Sequence, residues 1–127
     1  MGNGTPIGRV RGLGSAHSGA HHWIVQRLTA VANLVLVLWF IASLLLLPNL
    51  DYGTVREWLM RPVPAIAMAL LIVSSLWHAK LGMQVLIEDY VHEHGNKFAA
   101  ILALNFAVIA AGAFGLLCVV RLALGAA

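Results

Sequence analysis

Three long stretches without a charged side chain decide what this chain can fold into. Leu28–Leu50 and Phe98–Val120 each contain 23 residues without Asp, Glu, Lys or Arg, and Pro62–Ala79 contains 18. A helix that crosses the hydrocarbon core of a bilayer needs about 20 mostly apolar residues. Of the 127 residues, 61% are hydrophobic and only 10% are charged, which is more apolar surface than a soluble domain of this size can bury. The chain is therefore predicted to be an integral membrane protein.

The same stretches predict an all-α fold with three transmembrane helices, at about 23–47, 63–90 and 98–122. Strands are not expected, because the stretches do not alternate polar and apolar residues as a membrane barrel requires. The loop between the first two helices carries Tyr52 and Trp58, which suit the aromatic belt of a membrane interface. The single Cys118 excludes an internal disulfide and a multi-cysteine metal cluster within this chain. A net charge of +3 with few, scattered basic residues does not indicate nucleic-acid binding.

The first 20 residues differ in composition from the rest. They hold six of the 12 glycines, which predicts a flexible Gly-rich tail over 1–20 ahead of a membrane domain over 21–127. The tail is not an amphipathic, Arg- and Ser-rich transit peptide, which favours a bacterial product in the inner membrane. The side of the membrane that holds the N-terminus has four basic residues, and the opposite side has three, which favours a cytoplasmic N-terminus. The first group is Arg9, Arg11, Arg27 and Lys97, and the second is Arg56, Arg61 and Arg121.

Candidate chemistry lies on the second predicted helix, around His78. An ionisable side chain inside an apolar helix is unfavourable and indicates function by default, and a neutral imidazole is a good ligand for haem iron. Ser74, His78 and Gly82 are four residues apart and share one helix face. Gly82 leaves room for a flat macrocycle, and Ser74 is expected to accept the imidazole N–H through its hydroxyl or its carbonyl. A histidine that is hydrogen-bonded to a neighbouring helix is the alternative interpretation.

No other histidine lies at mid-membrane depth, so a bis-histidine haem would need its second ligand from another chain. The sequence therefore indicates either a haem shared between subunits or no haem. Arg27 stands at the start of the first helix, one turn after His22, and either anchors the interface or pairs with a haem propionate.

Asp89 and Tyr90 follow His78 on the same predicted helix. Asp89 comes 11 residues after His78, so it lies on nearly the same face, about 16 Å further along. A carboxylate and a phenol at this position commonly mark a solvated helix end. They could also bind a quinone head group, the phenol donating to a quinone carbonyl while the carboxylate relays protons.

The segment His78–His92 resembles the second-helix signature of the hydrophobic membrane anchors of succinate dehydrogenase (complex II), of alphaproteobacterial type. That signature is a histidine, a glycine four residues later, Gln-Val, and Asp-Tyr-Val with the aspartate 11 after the histidine. The segment His21–Ala30 is similar to the family's start of helix one, so the resemblance covers nearly everything after the tail. Gln84 departs from the pattern, since it follows His78 by six residues where relatives have seven.

The resemblance implies one of two anchor subunits of complex II, in a heteromeric anchor bundle that holds a flavoprotein and an iron–sulfur protein to the cytoplasmic face. It implies that His78 is one axial ligand of haem b, and that Arg27 and His21 or His22 contact the propionates. Tyr90 would hydrogen-bond ubiquinone with support from Asp89. Succinate oxidation would occur on the flavoprotein, so this chain would not be catalytic alone.

Two further hypotheses stay open from the residues. One is a quinone-binding anchor without haem, in which His78 is structural. The other is a small transporter or channel subunit in which His78, Lys80 and Glu88 line a polar path. Lys80 points about 200° away from His78 around the helix, which disfavours the second hypothesis.

Overall fold

The computed structural model describes Thr5 and residues 19–125. Within them the chain forms four helices: α1 (Gly19–Leu45), α2 (Tyr52–Leu59), α3 (Pro62–Tyr90) and α4 (His94–Ala123). Three of these, α1, α3 and α4, are long and apolar enough to cross a membrane. The prediction of an all-α membrane protein with three spanning helices is thus confirmed. The predicted tail over 1–20 lies outside the described residues, except for Thr5, which is exposed, and for Gly19 and Ala20, which already belong to α1.

Proline residues set two of the helix boundaries. The first helix was predicted to reach residue 47 but ends at Leu45, because Pro48 disfavours the helical conformation in the residue before it. The Leu47 N–H bonds to the Leu44 carbonyl at 3.2 Å, which ends the helix in a tighter turn. α3 begins with Pro62 in its first turn, where the missing N–H leaves no helical hydrogen bond unmade.

Carboxylate caps start the other two helices. The Glu93 side chain accepts the Asn96 N–H at 3.1 Å, so α4 begins at residue 94 rather than at about 98. Asp51 accepts the Thr54 N–H at 2.9 Å and starts α2 within a segment that was predicted to be a loop. Hydrogen bonds from the backbone and side chain of Thr54 hold the pKa of Asp51 below its usual value.

The short helix α2 contacts both α1 and the end of α4 at one end of the molecule. Trp58 of α2 is only 8% exposed, and its ring lies 5.8 Å from Trp39 and 6.2 Å from Phe40 of α1. Arg56 donates a hydrogen bond to the Gly125 carbonyl at 3.3 Å, just beyond α4. Trp58 is therefore a packing residue, whereas Tyr52 remains exposed as an interfacial aromatic residue should.

The central helix α3 packs against both α1 and α4. Gly112 and Gly115 of α4 lie against Leu76 and Ile72 of α3, so the two backbones approach closely there. In the described part of the chain, α1 and α4 do not pack against each other. The spanning helices therefore form an open array, in which the N-terminal half of α1 lies beside the C-terminal half of α3. Lipid or partner subunits must cover the apolar faces that this array leaves exposed.

Candidate functional site

Polar side chains join α1 to α3 within the membrane-spanning region. Thr29 Oγ1 lies 3.0 Å from His78 Nδ1, and the Ser75 hydroxyl donates to Asn33 Oδ1 at 3.3 Å. Hydrogen bonds between membrane helices contribute on average about 0.6 kcal/mol each, so together they fix the register of two helices. His78 is thus held in one orientation by a residue of the neighbouring helix.

The partner of the imidazole differs from the one predicted. Ser74 was expected to accept the N–H of His78, but Thr29 lies next to Nδ1 instead. The Ser74 hydroxyl donates to the Thr29 carbonyl at 3.4 Å and lines a second, apolar groove on the other side of the α1–α3 seam. The assignment of Ser74 to the haem site stays a prediction, but the neighbour of the imidazole Nδ1 is Thr29 and not the Ser74 hydroxyl. The reason is the register of α1 against α3, which places a hydroxyl from α1 beside the ring.

An open cavity of about 710 Å³ runs along the α1–α3 seam and has His78 in its wall. We call this cavity the His78 groove. Its volume falls within the range of roughly 300–1,000 Å³ that is typical of small-molecule and cofactor sites. The lining residues are Gly19, His22, Trp23, Gln26, Arg27, Ala30, His78, Gly82, Val85 and Leu86.

The wall of the His78 groove is flat at Gly82 and polar at Gln26. A Cβ atom at Gly82 would meet only Gln26 Nε2, at 3.7 Å, so the Gln26 side chain is the one protein group close to the α3 backbone there. The Gln26 Oε1 atom is buried and has no hydrogen-bond partner among the described residues. A buried acceptor normally has a donor, and none of the described residues supplies one to this atom.

Arg27, Trp23 and His22 lie at the N-terminal end of α1, at the mouth of the groove. The Arg27 guanidinium carbon is 5.5 Å from the centre of the Trp23 ring, which holds the cation in place by a cation–π contact. His22 is half-buried and lines the groove, whereas His21 is exposed and does not. Of the two histidines that were predicted as alternatives, the structure brings His22 to the site.

Asp89 and Tyr90 lie in the last turn of α3, at the same end of the molecule as the groove mouth. Both are exposed, Tyr90 to 77%, and neither lines the His78 groove. Lys97 donates to the Glu88 carbonyl at 2.9 Å, which fastens this end of α3 to α4. Gln84 donates to Glu88 Oε1 at 2.8 Å, a local contact within α3.

The polar path of a transporter is not assembled by these residues. The Lys80 ammonium lies 5.3 Å from the centre of the Trp77 ring, and Trp77 lines two apolar grooves away from His78. Glu88 is exposed and bonded to Gln84. His78, Lys80 and Glu88 therefore face different surroundings, as the helical spacing of Lys80 predicted.

The residues of the groove suit a haem better than a bare metal ion. No three His, Cys, Asp or Glu side chains cluster among the residues described, so His78 offers a single nitrogen ligand. A single imidazole per chain fits axial ligation of haem iron, the flat wall at Gly82 fits a planar ring, and the cation of Arg27 fits a carboxylate edge.

Two residues of this site, Thr29 and Gln26, had been given no role from the sequence. Both are polar side chains within the predicted first helix, one turn apart, and that unusual position was the available signal. Their partners on α3 depend on the register between two helices, which the sequence does not give directly.

Comparisons with known proteins agree on one family. Residues 1–112 match the family model described as succinate dehydrogenase/fumarate reductase transmembrane subunit. The chain is 38% identical to a succinate dehydrogenase hydrophobic membrane anchor subunit of Rickettsia bellii, over 85% of this chain and 87% of the relative. It is 35% identical to the subunit of that name from Paracoccus denitrificans, over 96% of this chain and 94% of the relative. The chain therefore belongs to the succinate dehydrogenase/fumarate reductase transmembrane subunit family, as a membrane anchor within an oxidoreductase complex.

Proposed function

We propose that this anchor co-ligates haem b together with the second anchor subunit of complex II. The observation that carries the proposal is the placement of His78 and Gly82 in the wall of one open groove, with Arg27 at its mouth. The groove is open on the side that α1 and α3 leave uncovered, which allows a second chain to supply the other axial ligand.

Each groove residue has a distinct task in this proposal. His78 would supply one imidazole nitrogen to the haem iron, and Gly82 would leave room for the haem beside the α3 backbone. Arg27 and His22 hold the propionates, for which a guanidinium offers parallel N–H donors. When bound, the haem supplies a one-electron redox centre, whose potential depends on its axial ligands and its surroundings.

The second part of the proposal is a ubiquinone reduction site at the end of α3. The exposed Tyr90 phenol donates a hydrogen bond to a quinone carbonyl, and the Asp89 carboxylate supports proton delivery beside it. The remaining contacts come from the second anchor and the iron–sulfur subunit. Succinate is oxidised on the flavoprotein, and its electrons reach the quinone through the iron–sulfur protein, which links the tricarboxylic acid cycle to the respiratory chain.

We also propose an orientation of the chain in the membrane. The N-terminus of α1 and the end of α3 lie at the same end of the molecule, so Tyr90 and Arg27 share one membrane side. We place that side in the cytoplasm of a bacterium, with the chain in the inner membrane, because the basic residues of the N-terminal segment favour it. Accessibility of a single cysteine introduced before Gly19, in a Cys118→Ser background, measures this orientation directly.

The test is a dithionite-reduced minus oxidised spectrum of the complex, purified with its partners in mild detergent. A b-type signal in proportion to the flavin supports the shared haem. If the complex has succinate–quinone reductase activity but no b-type signal, the haem-free anchor is the correct interpretation. Absence of both the signal and the partner subunits would reject the proposal altogether.

A further inference from the structure

We infer that Thr29 is a positioning residue for His78, and that it fixes the imidazole as the Nδ1–H tautomer with Nε2 left free to bind iron. The inference rests on the proposed haem ligation and extends it to a residue outside the ligand set. It follows from the hydrogen bonds of one hydroxyl group, because a threonine hydroxyl has only one proton to donate.

The Thr29 hydroxyl has three close neighbours. Its oxygen lies 2.9 Å from the Val25 carbonyl oxygen, 3.1 Å from the Gln26 carbonyl oxygen and 3.0 Å from His78 Nδ1. Carbonyl oxygens cannot donate, so the single hydroxyl proton must point to them, since otherwise two oxygen atoms would face each other at 2.9 Å without a proton between them. The hydroxyl is therefore an acceptor toward His78, and Nδ1 must carry the proton.

The proton on Nδ1 determines the protonation state of the other ring nitrogen, Nε2. A neutral imidazole with a proton on Nδ1 has a bare lone pair on Nε2, and a lone pair is what an axial ligand needs. The described residues give Nε2 no hydrogen-bond partner, and the His78 ring borders the groove. A residue of α1 thus sets the tautomer of the histidine on α3. The packing of the two helices is therefore coupled to haem binding.

The hydrogen bond also raises the basicity of the ligand, and a more basic axial ligand stabilises ferric iron over ferrous iron. Loss of such a contact typically lowers metal affinity about 10- to 100-fold. If the loss falls on the ferric form, each tenfold change raises the midpoint potential by about 59 mV for a one-electron couple. Thr29→Val, which keeps the shape and removes the hydroxyl, should therefore raise the haem potential.

The experiment is a redox titration of the haem in the purified complex, with Thr29→Val, Thr29→Ser and Ser75→Ala beside the unmodified chain. Thr29→Ser keeps the hydroxyl and should restore the original potential. Ser75→Ala removes an interhelical hydrogen bond to Asn33 without touching His78, so it controls for weakened helix packing. A Thr29→Val potential equal to that of the unmodified chain, at full haem content, would overturn the inference.

If Thr29→Val loses its haem, a second pair of variants tests the inference. Thr29→Ser and Thr29→Ala differ by one oxygen atom, and the inference expects the alanine variant to have the higher potential or the faster haem loss. Equal behaviour of this pair overturns the inference. Failure of the haem proposal itself is seen separately, as a missing haem signal in the unmodified complex or as a signal that survives His78→Ala.

Discussion

A single methyl group at Gly82 tests the shape of the His78 groove. Gly82→Ala places a Cβ atom 3.7 Å from Gln26 Nε2, an ordinary contact, so the fold itself accepts it. Alanine in a helix interior is more stable than glycine by about 1 kcal/mol. Gly82 also lines the groove, so a planar ring packed on its backbone would have to move to accommodate the methyl group. The two effects have opposite signs, which makes the outcome informative.

The expected size follows from the cost of overpacking. An added methyl group in a well-packed contact costs typically about 1–3 kcal/mol, which weakens haem retention about 5- to 150-fold. The assay is the rate of haem transfer from the purified complex to an excess of apo-globin. We expect Gly82→Ala to release haem faster while the complex unfolds at the same or a higher temperature.

The matched control is Gly112→Ala on α4. A Cβ atom there meets only Leu76 Cδ1, at 3.5 Å, which is also an ordinary contact, and it lies away from the groove. This variant should release haem at the original rate. If Gly82→Ala and Gly112→Ala behave alike, the assignment of the groove wall as the haem surface is refuted.

Three other substitutions address separate parts of the account. Tyr90→Phe should lower quinone reductase activity by about 2- to 12-fold, the value of one net hydrogen bond, and should spare succinate oxidation by an artificial dye; equal loss of both would indicate failed assembly. Arg27→Gln should speed haem release only a few-fold, because an exposed ion pair contributes about 0.2–1 kcal/mol; Arg27→Lys should recover part of it, and unchanged release in both would remove Arg27 from the site. Trp58→Ala should lower the unfolding temperature of the complex, since truncating a buried tryptophan costs on the order of 3 kcal/mol, with an unaltered haem spectrum; a changed spectrum would show that α2 reaches the groove.

The length of the uncharged stretches was enough to predict the three spanning helices, because only helices and closed barrels can span a bilayer. The short helix α2 escaped prediction, because its 8 residues make only about two turns, fewer than the 11–18 residues over which a helical pattern is normally recognised. The sequence nevertheless carried its start signal, Asp51 three residues before Thr54, which is a helix cap. The observed helix ends differ from the predicted ends by a few residues, because caps and prolines at single positions set each boundary.

The candidate site was predictable where it depends on one helix. The spacing of His78 and Gly82 along α3 places both in the same groove wall, as expected from a common face. The partner of the imidazole was not predictable, because Thr29 and Ser74 are equally plausible acceptors until α1 is set in register against α3. Asp89, on nearly the same face, lies three turns away and outside the groove, so a shared face did not imply a shared cavity.

The central claim is that His78 ligates the haem. Its most direct test compares reduced-minus-oxidised spectra of the purified complex carrying His78→Ala or His92→Ala, His92 being an exposed loop histidine at the end of α3. We predict that the b-type signal is lost or strongly weakened in His78→Ala, with membrane insertion preserved, and unchanged in His92→Ala. A full b-type signal in the His78→Ala complex would contradict the account.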